Sequence, residues 1–422
     1  MRRDELAGSL RQQFTRPRGF GVEKIDKPGY HNVWFVVPPK PPVTFTERLD
    51  LLLVRDAIHV LQARTSLAAA DEFQKTLAYL LVRREAVSSS RMEGTWSTVD
   101  EVLSPAISGA DRSATAAVRG YANALLHGAE AVECNGLAAL TSDYLRELHR
   151  HVMEKDPGFA GVAGRLRTPG QPGAVVQIGS LGRKEDSIYN PAPPQHVPRC
   201  LDAVLDWMAD KTVVEPGDAG MGLSLPVRMA IGHAHFEAVH PFTDGNGRIG
   251  RILWALQMVA AGKLPLYLSS YVEAERAEYG EALQEAQKKL RYRRLVEFVC
   301  RAILISSAEE SETQRTLHDL PKAWRQRGKF RRGSSAERAL TLLLKMPLLT
   351  IKTMAAELEV SMQAASDGIN RLEKAGIIRD RRGHGRGRVY AAEEVIGVLA
   401  RPFGADIEVV LEGARRLLTS SK

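Results

Sequence analysis

Apolar residues recur at intervals of three and four along most of the chain from about residue 46 to residue 310. The segments ERLDLLLVRDAIHVLQART and DEFQKTLAYLLVRREAVSSS both show this spacing, which is the period of one face of an α-helix. The other segments with helical spacing are 116–131, 140–154, 198–210, 225–239, 247–261, 273–288 and 292–307. The pattern predicts a mainly α-helical fold, with helices packed against helices.

Two stretches depart from this period. Residues 164–182, GRLRTPGQPGAVVQIGSLG, combine Gly and Pro turns with a short β-branched run, which predicts a small β-hairpin flap. Residues 1 to about 45 end in WFVVPPKPP, where the prolines exclude a helix and favour an extended segment. We therefore expect one small β element on an otherwise helical domain.

A different pattern begins after about Ser311. The segments SSAERALTLLLKM, TIKTMAAELEV and SMQAASDGINRLEKAG predict three helices, the last with Ser361 as its N-cap and Gly376 just past its end. IIRD and RVYAA then predict two short strands around the basic loop RRGHGRG. This order of elements predicts a C-terminal winged helix-turn-helix domain.

Positive charge is concentrated in this C-terminal module. Residues 322–390 contain 16 Lys and Arg against 6 Asp and Glu, whereas the whole chain has a formal net charge of only +8. We predict that 334–400 binds duplex DNA, with 362–375 in the major groove; a surface for protein contacts is the alternative. The residues expected to contact DNA are Arg371, Arg381, Arg382, Arg386 and Arg388.

Cysteine usage and hydropathy exclude several classes of protein. Cys134, Cys200 and Cys300 lie far apart without a CxxC pair, so neither a zinc site nor a disulfide framework is indicated. No apolar run approaches the roughly 18 residues that a membrane span needs, and no secretory signal follows the charged start. We expect a cytoplasmic protein without a membrane partner, and a homodimer stays open.

The stretch HPFTDGNGRIGR, residues 240–251, lies between two of the predicted helices. Pro241 ends the first helix, and Gly245 and Gly247 flank Asn246 where the second begins. Two glycines at a helix N-terminus let backbone N–H groups converge on an anion. The helix dipole contributes only about 0.3–2 kcal/mol, so a polyphosphate needs further positive charge.

Side chains in the same stretch can supply that charge and a base. Asp244 is suited to hold a metal ion, and Arg248 and Arg251 are suited to hold phosphates. His240 carries an imidazole, which can take a hydroxyl proton near neutral pH. A base, a metal ligand, an anion cradle and two guanidinium groups together indicate a nucleotidyl-transfer site.

The stretch resembles the Fic signature, HPF-x-(D/E)-GNGR-x-x-R, at every fixed position. The resemblance implies a Fic-type helical bundle around this loop and transfer of AMP from ATP to a protein Ser, Thr or Tyr hydroxyl. The residue roles that it implies are His240 as the base, Asp244 as the Mg²⁺ ligand, Gly245, Asn246 and Gly247 around the attacked phosphate, and Arg248 and Arg251 on the outer phosphates.

Other segments resemble further parts of the family. SSSRMEGTW is similar to the inhibitory motif (S/T)-x-x-x-E-(G/N), matched by Ser89, Glu93 and Gly94. The resemblance implies that Glu93 pairs with Arg251 and displaces the terminal phosphate of ATP. LPLYLSSYVEAERAEYGEAL resembles the C-terminal core helices, which would place Tyr279 near the nucleotide. The flap resembles the substrate hairpin, with Val175, Val176, Gln177 and Ile178 as the target-docking residues.

Alternatives to AMP transfer are a DNA-binding regulator with a vestigial Fic domain and an enzyme that mainly removes AMP with the help of Glu93. Phosphotransfer of the Doc type is disfavoured, because its relatives carry Lys where this chain keeps Gly247. The target protein is open, and the chain itself is one candidate. The expected domains are a 1–115 N-terminal region with the inhibitory helix, a 116–310 catalytic core, a 311–333 basic linker, a 334–402 winged helix-turn-helix and a 403–422 C-terminal helix or tail.

Overall fold

The computed structural model describes residues 1–104, 113–179, 182–210, 223–381 and 388–419, and these residues are mainly α-helical. Their helices are α1 (Leu51–Ala63), α2 (Glu72–Met92), α3 (Val99–Leu103), α4 (Ala114–Asn135), α5 (Ser142–Met153), α6 (Val197–Ala209), α7 (Leu225–Val239), α8 (Asn246–Ala260), α9 (Ser269–Ala274), α10 (Arg276–Lys289), α11 (Arg293–Gly328), α12 (Ser335–Lys345), α13 (Ile351–Leu358), α14 (Met362–Lys374), α15 (Glu393–Ala400) and α16 (Ile407–Thr419).

The strands are short. They are β1 (Gly21–Lys24), β2 (Trp34–Val37), β3 (Leu348–Leu349), β4 (Arg379–Asp380) and β5 (Tyr390–Ala391). β1 and β2 form an antiparallel pair, and the other three form a sheet in the order β3-β5-β4. The prediction of a mainly helical protein with only small β elements is confirmed.

The chain divides into two compact units that do not follow the expected domain order. The first contains the described residues of Met1–Ala69, Ser88–Thr95 and Arg112–Ser306, and the second contains those of Ala70–Val87, Trp96–Asp111 and Ser307–Lys422. The N-terminal region expected as one domain over 1–115 is therefore shared between the units. Helices α2 and α11 each contribute residues to both.

Helix α7 is the centre of the first unit. Every residue from Pro226 to Val239 is buried, because α1, α6, α8 and α10 all pack against this helix. A helix that is buried on all sides lies in the core of a bundle. Helix α8 is nearly as buried and also contacts α4 and α5, so the loop that joins α7 to α8 has a rigid helix at each end.

In the second unit α12, α13 and α14 pack against one another, and α15 packs on α16 and α3. The hydroxyl of Ser361 accepts a hydrogen bond from the Ala364 N–H at 3.1 Å, and Gly376 follows α14 with φ 63°. The predicted N-cap and C-terminal glycine of α14 are thus confirmed. In the sheet, Leu348 pairs with Ala391, which pairs in turn with Arg379.

Charged residues are buried beside α15. The Glu394 side chain is fully buried and accepts hydrogen bonds from Trp324 Nε1 at 2.6 Å and from the guanidinium groups of Arg327 and Arg415. These bonds hold the pKa of Glu394 below its usual range although burial opposes the charged form. Two positive partners and an indole N–H compensate for the lost hydration of the carboxylate.

The basic linker expected at 311–333 is helical over most of its length, because α11 continues from Arg293 to Gly328. The expected end of this helix near 307 was wrong. Arg, Lys, Glu and Gln are good helix formers, so a charged composition does not by itself end a helix. Among the described residues, no helix is both long enough and apolar enough to span a membrane.

Candidate active site

The loop between α7 and α8 begins with an unusual backbone at His240. This residue has φ 50° and ψ 64°, in the left-handed region, and its N–H donates to the Phe236 carbonyl at 2.9 Å. A residue with a Cβ rarely adopts this conformation unless its surroundings impose it. Pro241 follows and cannot continue the helix. The chain therefore turns sharply at the residue predicted to be the base.

Asn246 fixes the shape of this loop. Its Oδ1 accepts a hydrogen bond from the Phe242 N–H and its Nδ2 donates to the Phe242 carbonyl, both at 2.9 Å. The side chain is buried, and both of its polar ends are engaged with the backbone. The side chain of Asn246 therefore holds the shape of the loop, and the role of this residue around the attacked phosphate stays a prediction.

Gly245 is required both by its backbone and by the space around it. It is the N-cap of α8 with φ 79°, and a Cβ at this position would lie 2.6 Å from Met153 Sδ. The first N–H groups of α8 have no partner inside the helix. The end of α8 thus presents backbone donors next to His240, as an anion site requires.

His149, on α5, packs against the loop and hydrogen-bonds to it. Its ring stacks on Phe242 with centroids 3.8 Å apart, its Nδ1 accepts from the Gly164 N–H at 2.8 Å, and its Nε2 lies 3.0 Å from the Asp244 carbonyl oxygen. Burial lowers the pKa of His149 to about 4. The ring is therefore neutral, and because Nδ1 accepts, Nε2 carries the proton and donates to Asp244.

Arg167 connects the flap to the end of α7. Its fully buried guanidinium donates to the carbonyl oxygens of His240 at 2.6 Å, Ala174 at 2.9 Å, and Ala192 and Val239 at 2.8 Å. Burial lowers its pKa to about 9. Four carbonyl acceptors fit the forked geometry of the guanidinium and stabilise the left-handed turn at His240.

The imidazole of His240 faces Glu237, one turn earlier on α7. Glu237 Oε2 lies 3.4 Å from His240 Nδ1, and 7% of the Glu237 side chain and 16% of the His240 side chain are exposed. Burial opposes the charged form of Glu237, but His240, His233 and Arg251 together hold its pKa below the usual range. A carboxylate thus lies behind the ring of the predicted base.

Arg251 is bonded to the predicted inhibitory segment. Its guanidinium donates to Ser89 Oγ at 2.8 Å, to the Ser89 carbonyl at 2.9 Å and to Glu93 Oε1 at 2.7 Å. Arg251 is 3% exposed, and Glu93 raises its pKa against the effect of burial. Gly247 faces this pair, since a Cβ there would contact Glu93 Oε1 and Arg251.

Arg248 is engaged by a carboxylate that sequence reasoning missed. It donates to Asp156 Oδ2 at 2.6 Å, and the same oxygen accepts from Thr95 Oγ1 at 3.1 Å. The Arg248 guanidinium holds the pKa of Asp156 below its usual range against the effect of burial. Arg248 is almost fully buried, so a phosphate would have to compete with Asp156 for it.

Two family models match the chain. The Fic/DOC family model covers residues 139–258, which contain the α7–α8 loop, and the Fic/DOC family N-terminal model covers residues 53–130, which contain Glu93. The chain therefore carries a Fic/DOC family domain together with the N-terminal domain of that family.

Named relatives match part of the chain. Protein adenylyltransferase fic-1 of Caenorhabditis elegans is 34% identical over 150 residues, which is 35% of this chain and 24% of the relative. A probable protein adenylyltransferase of Aquifex aeolicus is 31% identical over 111 residues, 25% of this chain and 30% of the relative. The chain thus spans under a third of the length of these relatives.

Solved structures of Fic proteins resemble this one more distantly. A Fic family protein from Desulfovibrio desulfuricans G20 has a TM-score of 0.48 and 18% identity, over 84% of this chain and 98% of that chain. Fic-1 from C. elegans has a TM-score of 0.45 and 23% identity, over 63% of this chain and 72% of that chain.

Tyr279 lies on α10, which packs against α7. It is 9% exposed, and its hydroxyl is 2.6 Å from His233 Nε2. His235 makes a similar contact, 2.8 Å from the Tyr292 hydroxyl. The two histidines of α7 are buried and each contacts a tyrosine, so both pack inside the protein. The hydroxyl of Tyr279 is engaged within the protein, and its contact with a nucleotide stays a prediction.

The flap forms only a short antiparallel contact, at its C-terminal end. Ile178 forms an isolated antiparallel bridge with Tyr189, and the Gln177 amide donates to the Lys184 carbonyl at 2.6 Å. Val175 and Val176 are half-buried. A regular hairpin is thus reduced to one bridge in the described residues 164–179, because the turns around Gly170 and Gly173 interrupt the strand.

The predicted DNA-binding arginines differ in availability. Arg371 is exposed on α14. Arg381 pairs with Asp100 and Glu393, and these carboxylates raise its pKa despite partial burial. Arg388 lies 3.5 Å from Asp380. Arg382 and Arg386 lie outside the described residues.

Of these, Arg381 is already paired with two carboxylates, so a phosphate would have to compete with them, and its contact with DNA stays a prediction. Three residues of the site were not predicted from the sequence: His149, Arg167 and Asp156. Only His149 lies in a pattern that could have indicated its burial. Leu145, Leu148 and Val152 place His149 on the buried face of α5, so periodicity could have located it. Arg167 and Asp156 lie in irregular segments, where no local pattern indicates burial.

Proposed function

We propose that the chain is a protein adenylyltransferase, which transfers AMP from ATP to a Ser, Thr or Tyr hydroxyl of a protein. The observation that carries the proposal is the loop between α7 and α8, where His240 ends α7 beside the backbone donors at the start of α8. The relatives from C. elegans and A. aeolicus are named as protein adenylyltransferases, which supports the same reaction.

In this reaction the target oxygen attacks the α-phosphorus of ATP, the bond to the bridging oxygen of the β-phosphate breaks, and pyrophosphate leaves. The attacking hydroxyl loses its proton, and we assign His240 as the base that accepts it. The N–H groups at the start of α8 stabilise the negative charge on the α-phosphate. Arg251 is the guanidinium available for the outer phosphates once Glu93 has moved away.

Mg²⁺ neutralises charge on the phosphates and on the departing pyrophosphate when it is bound. Among the described residues no group of three or more His, Cys, Asp or Glu side chains could hold a metal alone. Asp244 is exposed next to the anion cradle. One carboxylate fits Mg²⁺, which is commonly held by one or two carboxylates together with substrate phosphates and waters.

We infer that the enzyme is restrained by Glu93. The contact of this carboxylate with Arg251 at 2.7 Å supports the proposal, because it occupies the guanidinium that should bind the terminal phosphate. Thr95 adds a second contact, through Asp156 to Arg248. Both arginines of the signature are thereby engaged by protein carboxylates.

The target segment docks along the flap in this proposal. No hydrogen bond to the backbone of Val175 or Val176 occurs among the described residues, which leaves an extended edge that can pair with a peptide carrying the hydroxyl. Val176→Pro removes one donor from that edge and should reduce transfer to the natural target. Val176→Ala keeps the donor and serves as the control; equal transfer by both variants would exclude strand pairing there.

A second candidate function, DNA binding by the C-terminal module, is favoured by the exposed face of α14. Gln363, Asn370, Arg371 and Lys374 are exposed there, and such side chains can contact base edges and phosphates in a major groove. The order of α12 to β5 supports a winged helix-turn-helix. Gel-shift experiments with genomic fragments test it, and no binding even at low salt would favour a protein-contact role.

The reaction is tested by incubating the chain and a cell lysate with ATP labelled at either the α- or the γ-phosphate. Protein-bound α-label without γ-label is expected for AMP transfer. Bound γ-label would instead indicate phosphotransfer. Loss of α-label from previously modified protein, accelerated by Glu93, would indicate that AMP removal is the main reaction.

A further inference from the structure

Helix α7 carries a buried carboxylate whose position no part of the Fic signature explains. Glu237 lies three residues before His240, on the same side of the helix end, and its Oε2 is 3.4 Å from His240 Nδ1. Residues three apart on a helix are neighbours. His240 has a left-handed backbone, and its ring faces this neighbour.

We propose that Glu237 is a positioning residue that fixes the tautomer and orientation of His240, so that Nδ1 carries a proton and Nε2 is the nitrogen that accepts the proton of the target hydroxyl. The inference rests on the proposed AMP transfer for its kinetic consequence. Its structural part, the tautomer, is independent of any activity.

The hydrogen-bonding surroundings of His240 support this assignment. Nδ1 is buried and makes no regular hydrogen bond with the described residues, and the Glu237 carboxylate is the acceptor within ion-pair distance. A carboxylate can only accept, so it favours the N–H on the nitrogen that faces it. At 3.4 Å the contact is long, but catalytic hydrogen bonds often shorten when the substrate is bound.

Packing around Glu237 restricts where its carboxylate can go. A Cβ at Gly250 would lie 2.9 Å from Glu237 Oε1 and 2.8 Å from His233 Cε1, so the absence of a side chain at 250 makes room for both. His233 is itself held by the Tyr279 hydroxyl at 2.6 Å and by the Trp254 ring at 4.3 Å. Glu237 is thus confined between His233 and His240.

The kinetic test uses Glu237→Gln in a Glu93→Gly parent, so that the inhibitory contact is absent. The amide has the size of the carboxylate but can present either a donor or an acceptor to Nδ1, which allows the wrong tautomer. We expect kcat for AMP transfer to fall by about 10²-fold or more, with the KM for ATP unchanged. Glu281→Gln, an exposed carboxylate of the same unit, is the control and should change neither value.

A kcat of Glu237→Gln within about threefold of the parent would overturn the proposal. Gly250→Ala provides a second variant if the first does not fold, because the added methyl group displaces Glu237 or His233 without changing any charge. It should also lower kcat more than it changes the KM. A KM effect with kcat unchanged would assign this region to nucleotide binding instead.

The tautomer is read directly by nitrogen NMR of the full chain with labelled histidine, at about pH 8.5, where ordinary imidazoles are neutral. His240→Ala identifies the His240 signals. A proton on Nδ1 in the wild type and a mixture of tautomers in Glu237→Gln are expected. A proton on Nε2 in the wild type, or the same tautomer in both proteins, would overturn the proposal even if no AMP transfer is found.

Discussion

Replacing Glu93 with Gly should raise the rate of AMP transfer, because it frees Arg251 from its carboxylate partner. Glu93 lies one residue beyond the end of α2, and Gly94 follows with φ 84°, so a glycine at 93 does not interrupt a helix. Arg251 keeps its bonds to Ser89 Oγ and to the Ser89 carbonyl in the variant. The substitution therefore removes one carboxylate and leaves the guanidinium in place.

The size of the effect follows from the electrostatics of the pair. A carboxylate about 4 Å from a phosphate charge costs about 4 kcal/mol at an effective dielectric constant near 20. The Glu93 side chain is 30% exposed whereas that of Arg251 is 2% exposed, so solvent screens part of this repulsion. A residual effect of about 1.4 kcal/mol corresponds to a tenfold rate. We expect AMP transfer to rise by roughly tenfold or more.

The assay compares AMP transfer from α-labelled ATP by the wild type and by Glu93→Gly, with self-modification as the first readout. Affinity for adenosine and AMP should be equal in the two proteins, since neither ligand has a terminal phosphate near Arg251. Ser89→Ala is a matched control: it removes one bond to Arg251 and keeps the carboxylate, so it should activate much less. Equal rates in the wild type and Glu93→Gly would refute the inhibitory role.

Three further outcomes follow from the site. His240→Ala should lower transfer by about 10²–10⁴-fold while ATP binding persists; an unchanged rate would remove His240 from the mechanism. Transfer should stop in excess EDTA, because the leaving pyrophosphate then lacks its counter-ion, and activity that survives the chelator would contradict the Mg²⁺ role of Asp244. The pKa of His149 is about 4 in the fold but near 6.5 when unfolded, so the unfolded chain binds more protons between these values and stability should fall as pH is lowered from about 6.5 to 4. His149→Gln should reduce this slope in urea titrations, and an identical slope would mean that His149 is not neutral in the fold.

The sequence was sufficient to predict features that depend on a repeating pattern or on residues close together in the chain. Helical spacing predicted α7 and α8 on either side of the loop, and the signature predicted where His240 would lie. The contact between Glu93 and Arg251, 158 residues apart, followed from the family resemblance and from nothing in the spacing itself.

The features that could not be predicted depend on contacts between distant segments. Asp156 engages Arg248 across 92 residues, and Arg167 reaches the His240 carbonyl across 73 residues. A buried arginine with carbonyl partners looks like any surface arginine in the sequence, because composition does not record burial. The extension of α11 was missed for a related reason, since polar residues such as Glu312 are compatible with a helix or a linker.

The space at Gly247 makes the contact between Glu93 and Arg251 depend on the absence of a side chain at this residue. No positive φ demands glycine here; the demand comes from the Glu93 carboxylate, the flexible end of a side chain that a methyl group at 247 would push aside. Gly247→Ala would therefore displace the Glu93 carboxylate before it strained the backbone. Any longer side chain at residue 247 would begin from the same Cβ and would compete with the Glu93 carboxylate for this space. In this loop, a side chain at residue 247 and the contact between Glu93 and Arg251 therefore exclude each other.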